Sequence, residues 1–211
     1  MQYMNALNCN RQQAWRNIKN KYTRKLEEDL KLGKVDQDII PILLALNKKH
    51  CVATTSSCSG RIVAIISRTP HDKKHAYFLL KKHEKITIDE LIMAINKAKN
   101  SSNTFAWISV QPLLLHMYVC GEENTKLILS YAESIGFKHA CAKPTKHKNI
   151  YYVYITGTER LDIPLQILES TKKESLEEIL YLLNTYLSFT KRKLDKIKTT
   201  IHILAEKLCN K

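Results

Sequence analysis

Glycine and proline are scarce in this chain, at five each in 211 residues. So few flexible or breaking residues argue against long linkers. No strand-to-helix glycine fingerprint of the dinucleotide type occurs, which disfavours a nucleotide-binding, doubly wound fold. No apolar run is long enough to span a membrane. The six cysteines, Cys9, Cys51, Cys58, Cys120, Cys141 and Cys209, contain no CxxC pair, so their spacing offers no zinc motif. Cys51 and Cys120 lie in apolar surroundings and read as small core residues. His71, His75 and His83 sit among lysines, in a polar loop and a strand start, a setting that argues against metal ligation. Residues 1–11 are polar and lack the apolar centre of a signal peptide. The chain reads as cytoplasmic.

Positive charge, by contrast, is plentiful. Thirty-four Lys and Arg against 20 Asp and Glu give a formal net charge of +14. Such an excess attracts polyanions, because Lys and Arg neutralise phosphates and release counterions. Ten of the aromatic residues are Tyr. Abundant Lys, Glu, Ile and Leu point to a thermophilic source. The length is sufficient to bury a sizeable core in one large domain or two small ones.

Periodicity assigns helices and strands. Trp15, Ile18, Tyr22, Leu26 and Leu30 recur at three- and four-residue steps, predicting a helix over 11–32 with Gly33 as its stop. A second helix should run to Asn47, capped by Asp38 with Pro41 in its first turn. Residues 87–100 predict a helix with Thr87 as N-cap and Glu90 in the capping-box position. A further helix is expected over 122–135, ended by Gly136. Strands are predicted at 50–54, 61–67, 75–79, 104–109, 113–119, 137–142 and 149–156. The tail is read as one long helix, striped by Leu176, Leu180, Leu183, Leu187, Thr190, Leu194, Ile197, Ile201, Leu204 and Leu208. That stripe can pair with another chain, making a dimer, or pack antiparallel on the N-terminal helix of a monomer. The second reading is favoured, because the first helix offers a matching seam. The fold class is α+β: a mixed, mostly antiparallel sheet of roughly six or seven strands with packed helices, not a Rossmann-type fold. Residues 1–170 form the α+β part and 171–211 the long C-terminal helix, a single domain overall.

Candidate chemistry gathers at Thr54-Thr55-Ser56-Ser57-Cys58-Ser59-Gly60-Arg61. Hydroxyls and backbone amides at a strand end supply donors and acceptors, and the glycine lets backbone approach a ligand. Arg61 adds a planar fork suited to carboxylate or phosphate. The bland alternative is a serine-rich loop at a sheet edge. Trp107, Pro112 and His116 span a strand–turn–strand. Trp107 is either a core aromatic or a stacking surface for a base. His116 is either a satisfied core residue or a general base. Asp36 and Asp38 are helix caps or a carboxylate pair. Residues 143–148, with Lys146 among them, form a basic loop suited to nucleic-acid phosphates or a plain surface hairpin.

The ordered recurrence of Leu32-Gly33-Lys34-Val35-Asp36-Gln37-Asp38-Ile39-Ile40-Pro41, Leu46-Asn47, the Thr54 to Ile62 block, Trp107 with Pro112 and His116, and Gly136-Phe137-Lys138 resembles the tRNA wybutosine-synthesising protein 3 family. The serine–cysteine–glycine–arginine block is the most specific part, and the C-terminal helix lies outside the resemblance. Two positions depart from the family pattern: Thr54 replaces a serine, and Ala140 replaces a hydroxyl residue. The resemblance implies an S-adenosylmethionine-dependent methyltransferase. It would methylate N-4 of the tricyclic wyosine precursor, of the 7-aminocarboxypropyl-demethylwyosine type, beside the anticodon of tRNA(Phe). On that reading His116 is the expected proton acceptor and Asp36 the second candidate. Ser56, Ser57, Cys58, Ser59, Gly60 and Arg61 would hold the cofactor, and Trp107, Pro112, Lys138 and Lys146 the substrate. Cys58 is expected as a pocket wall, since direct transfer needs no nucleophile. A non-catalytic tRNA-binding module and an interaction protein built on the long helix are the alternatives.

Overall fold

The computed structural model describes residue 9 and residues 12–69, 74–101 and 104–209. Arg11 and His71, named above, lie outside the described residues. In chain order the elements are α1 (Gln13–Lys31), a 3-10 turn (Gln37–Ile39), α2 (Ile40–Asn47), β1 (Val52–Cys58), β2 (Arg61–Ser67), β3 (Tyr77–Lys82), α3 (Ile88–Lys99), β4 (Phe105–Gln111) and β5 (Leu114–Cys120). Then come α4 (Glu122–Ser134), β6 (His139–Pro144), β7 (Ile150–Thr156), β8 (Leu161–Pro164), α5 (Leu165–Leu168) and α6 (Lys173–Lys207).

The architecture is α+β, and every strand pair is antiparallel. The strands make two four-stranded sheets, ordered β1-β5-β7-β6 and β3-β2-β4-β8, where the sequence suggested one. The chain divides accordingly into two compact units. The first takes its described residues from 1–59, 113–158 and 193–211, the second from 60–112 and 159–192. Strand pairs that look like hairpins in the sequence, β1–β2 and β4–β5, change sheet at the two-residue links Ser59–Gly60 and Pro112–Leu113.

In the first unit, α1 buries Trp15, whose indole Nε1 donates to the His50 carbonyl at 2.8 Å. Gly33 adopts a left-handed φ of 62°, and the Lys34 amide returns to the Asp29 carbonyl, closing the helix. The 3-10 turn before α2 is capped by Asp36, not Asp38 as expected: the Asp36 carboxylate accepts from the Asp38 amide at 3.1 Å. Lys19 donates to the carbonyls of Asn47, Lys49 and Val52, satisfying acceptors left over at the end of α2. Burial pushes its ammonium down to about 8. Cys9–Cys120 and Cys51–Cys209 are disulfides. This corrects the reading of Cys51 and Cys120 as plain core cysteines; partners 111 and 158 residues away leave no local spacing signal. Leu115, Met117, Val119, Val153 and Ile155 of the sheet share a core with Ile42, Leu46, Ile128 and Phe137.

In the second unit, β2 is central and its Ile62, Ala64 and Ile66 pack with Ile108 and Val110 of β4 and with Leu91 and Ile95 of α3. The capping box holds: Glu90 N–H donates to Thr87 Oγ1 at 3.3 Å, and Thr87 N–H to Glu90 Oε2 at 2.9 Å. Asn184 of α6 accepts from the Ile86 amide and donates to its carbonyl, both at 2.9 Å. β8 and α5 were not foreseen. The α6 stripe contributes to two cores of this chain. Leu176, Leu183 and Leu187 belong to the second unit's core and Leu194, Ile197, Ile201, Leu204 and Leu208 to the first's. Only the latter half therefore shares a core with α1.

Candidate active site

The hydroxyl-rich run is mostly strand rather than loop. Thr54 to Cys58 lie in β1, and only Ser59 and Gly60 turn. A register break between Thr54 and Ser57 bulges this strand against β5, which redirects side chains locally. Each hydroxyl then meets a different fate. Thr54 is clamped by Asn47, whose amide donates to its Oγ1 at 2.5 Å and accepts its backbone N–H at 3.2 Å. Thr55 Oγ1 is 2.9 Å from the Tyr152 hydroxyl. Ser56 is exposed. Ser59 is fully buried, and its amide donates to Asp36 Oδ2 at 3.0 Å. Ser57 Oγ is buried with no hydrogen-bond partner among the described residues, an arrangement that costs about 1–3 kcal/mol unless a ligand satisfies it.

Asp36, with one carboxylate oxygen on the Asp38 amide and the other on the Ser59 amide, ties the start of α2 to the end of β1. Of its two sequence readings, the cap is what the geometry realises. Asp38 lies 3.8 Å from Lys198 Nζ. Cys58 and Cys141 take no part in the two disulfides.

In the second unit, Gly60 takes φ 91°, a conformation L side chains rarely adopt. It approaches Thr190 of α6 closely, and a Cβ there would overlap the Thr190 methyl. The Gly60 carbonyl lies 3.1 Å from His83 Nδ1. Arg61 Nε donates to Gln111 Oε1 at 2.7 Å, and the guanidinium lies 5.5 Å from the Phe78 ring centre. The fork is thereby oriented, with its terminal amino groups the donors suited to an anion. Trp107 is half-buried and points away from the Ala106, Ile108 and Val110 core. It pairs with Ile65 whereas Arg61 pairs with Gln111, about 13 Å apart along the strands. Pro112 begins the link into β5.

His116, Lys138, His139, Cys141, Lys143 and Tyr154 of the first unit line an open groove of about 480 Å³. The structure thus brings His116 and Lys138 to one place. Lys146 stands exposed in the link between β6 and β7. His116 is half-buried, and burial holds its imidazole below the usual histidine value, so at neutral pH it is an uncharged acceptor. Its ring centre lies 4.8 Å from that of Tyr154 and 5.9 Å from that of Tyr152. Tyr152 and Tyr154 were not singled out from sequence. The signal was there: Tyr152 and Tyr154 alternate on β7, as His116 and Tyr118 do on β5, each set opposite the buried positions.

The chain is thus a basic α+β protein of two antiparallel four-stranded sheets, with an arginine oriented by Gln111 and Phe78 in the second unit and a neutral histidine in a cationic groove of the first. The model of the family described as methyltransferase TYW3 matches residues 10–203, and the chain belongs to that family. It is 37% identical over 188 residues to a Thermococcus sibiricus protein, covering 88% of this chain and 93% of that one. It is 35% identical to a Pyrococcus furiosus protein, covering 85% and 90%. Both are named tRNA(Phe) 7-((3-amino-3-carboxypropyl)-4-demethylwyosine(37)-N(4))-methyltransferase, the second with the suffix 1. The fold is similar to the solved structure of PH1069 from Pyrococcus horikoshii, with a TM-score of 0.78, 31% identity, and coverage of 89% of this chain and 95% of that one. A solved protein from Aeropyrum pernix, at 22% identity and a TM-score of 0.66, shares the fold.

Proposed function

We propose that this methyltransferase acts on tRNA(Phe), transferring a methyl group from S-adenosylmethionine to N-4 of the 7-(3-amino-3-carboxypropyl)-4-demethylwyosine base beside the anticodon. The reading is supported by membership of the family, by relatives so named along most of their length, and by the net charge of +14, which suits a polyanion. The observation that carries the site assignment is His116, a neutral imidazole in an open groove flanked by Lys138 and Lys143.

The donor segment is the Ser56–Arg61 stretch. Its fit to a polar, zwitterionic cofactor rests on the unpartnered buried Ser57 hydroxyl and on the Arg61 guanidinium oriented by Gln111 and Phe78. Ser57, in the first unit, would donate to the cofactor, while Arg61, in the second, carries a fork suited to a carboxylate. The cofactor supplies an electrophilic methyl group on a sulfonium. The protein's task is then to position two reactants and remove one proton. His116 accepts the proton that the base nitrogen loses as its lone pair engages the methyl carbon. Asp36, engaged by two backbone amides, serves as a structural clamp. Lys138 and Lys146 contact phosphates, and Trp107 stacks on an aromatic ring. Cys58 forms no covalent bond in direct transfer. A tRNA substrate supports a cytoplasmic location for the reaction.

The test is to incubate the protein with S-adenosylmethionine and tRNA(Phe) bearing the demethylated base, then to digest the tRNA for mass spectrometry. A nucleoside heavier by one methyl group is the expected product. Saturable calorimetric binding of tRNA with no binding of the cofactor and no mass gain would point instead to a tRNA-binding module.

A further inference from the structure

On the first sheet, the face opposite its core carries a connected row of aromatic rings. Tyr22 of α1 lies 5.4 Å from Tyr118, Tyr118 4.7 Å from Tyr152, Tyr152 4.7 Å from Tyr154, and Tyr154 4.8 Å from His116. Tyr22 and Tyr118 rest against the core. Tyr152, Tyr154 and His116 do not, and all five side chains remain half-exposed. A fold has no need of such a row on a partly wet face, because each ring would stabilise more if fully buried. Cations stand at both ends. Lys21 Nζ is 5.3 Å from the Tyr22 ring centre, and Lys143 Nζ is 5.3 Å from that of Tyr154. Lys138 and Lys143 border the groove beside His116, and Lys146 and Lys148 follow in the same basic link.

Rings interleaved with lysines are the chemistry of a surface for unpaired nucleotides. Bases stack on tyrosine faces while ammonium groups take the phosphates, and an extruded base can be handed along the row. Burial and the neighbouring Tyr22 raise the Tyr118 phenol above its usual value, which keeps that ring neutral beside a phosphate. We infer that the Tyr22–Tyr118–Tyr152–Tyr154–His116 row is a stacking platform for single-stranded nucleotides of the RNA substrate, ending at the groove where His116 works. This rests on the tRNA reading above and deepens it, naming unpaired loop bases rather than duplex as what the protein grips.

The experiment uses the full chain and an unmodified RNA stem-loop with the tRNA(Phe) anticodon-loop sequence and 2-aminopurine at one loop position. Binding by the wild type should quench the 2-aminopurine emission through stacking. Tyr154→Leu should weaken affinity about 5- to 100-fold, the equivalent of one lost stack. Tyr154→Phe should stay close to wild type. Tyr22→Leu, at the far end of the row, should weaken binding in the same direction. Lys143→Ala should reduce the salt slope by about one, which Tyr154→Leu should not. Thermal unfolding of each variant separates loss of fold from loss of stacking, and a fully duplex RNA should bind without quenching. If the wild type binds the stem-loop and methylates tRNA, but the leucine variants bind as tightly and quench as much, the platform is wrong and the function stands. If the wild type binds no RNA, both fail together.

Discussion

The Gly60 α-carbon lies so close to Thr190 that a side chain on it would overlap the Thr190 Cγ2 methyl. With φ 91° as well, the position is closed to other residues on two independent grounds. Gly60→Ala should therefore destabilise the protein by about 2–4 kcal/mol, combining left-handed strain with overpacking. Adding Thr190→Ser removes the methyl and should recover the packing part but not the strain. Denaturant unfolding of the single and double variants measures both.

Ser57 gives the opposite expectation. Its buried hydroxyl has no hydrogen-bond partner among the described residues, so Ser57→Ala should leave stability unchanged or raise it by up to about 1 kcal/mol. Affinity for S-adenosylmethionine should fall by roughly 5- to 10-fold, the worth of one hydrogen bond. Calorimetry and thermal melts on the same samples read the two effects. Loss of stability with unchanged cofactor affinity would remove Ser57 from the donor site.

The disulfides should be measurable directly. Alkylation of the unfolded, unreduced protein should label Cys58 and Cys141 and leave Cys9, Cys51, Cys120 and Cys209 untouched until reduction. Because the bridges close loops of 111 and 158 residues, the chain-entropy model assigns each about 4–5 kcal/mol. Reduction, or paired Cys→Ser replacement, should lower the unfolding midpoint accordingly.

Lys19→Met keeps the aliphatic stem but deserts the carbonyls of Asn47, Lys49 and Val52. Losing these bonds should cost about 1–3 kcal/mol, although the Lys49 carbonyl keeps its bond from the Val52 amide. Lys19→Arg should recover part of it, as denaturant titration would show.

Much of this was legible along the chain. Local devices read well: the Thr87–Glu90 capping box, the Gly33 stop and the alternating strands depend on neighbours a few residues away. What failed to read depends on distant ones. Nothing near Ser59–Gly60 says that β1 pairs with β5 while β2 pairs with β4, because a two-residue link looks the same within a sheet or between sheets. Cys9 and Cys51 carry no sign of partners more than a hundred residues away. Asp36, rather than Asp38, became the cap because its second oxygen also reaches the Ser59 amide, 23 residues on. At the candidate site, residue types were readable but company was not. His116 and Lys138 share a groove, and Thr54, Ser59 and Gly60 make contacts within the protein, with Asn47, Asp36 and Thr190, that no neighbouring residue announces.

The pH dependence follows from His116. Burial lowers its pKa, and a general base works only when neutral. Single-turnover transfer should stay on a plateau through neutrality and fall in acid, with an apparent pKa below the usual value of about 6.5. The same shift makes folding stability decline as pH drops from about 6.5 toward the folded value, since the unfolded chain binds the proton more readily there. His116→Ala should abolish both the acid limb and the transfer while leaving the melting curve at neutral pH nearly unchanged.

The most direct measurement is single-turnover methyl transfer to tRNA(Phe) carrying the demethylated base, comparing His116→Ala with Cys58→Ala. The account predicts that Cys58→Ala retains the wild-type rate while His116→Ala loses at least about a hundredfold, the usual worth of a general base. A fully active His116→Ala beside an inactive Cys58→Ala would contradict it.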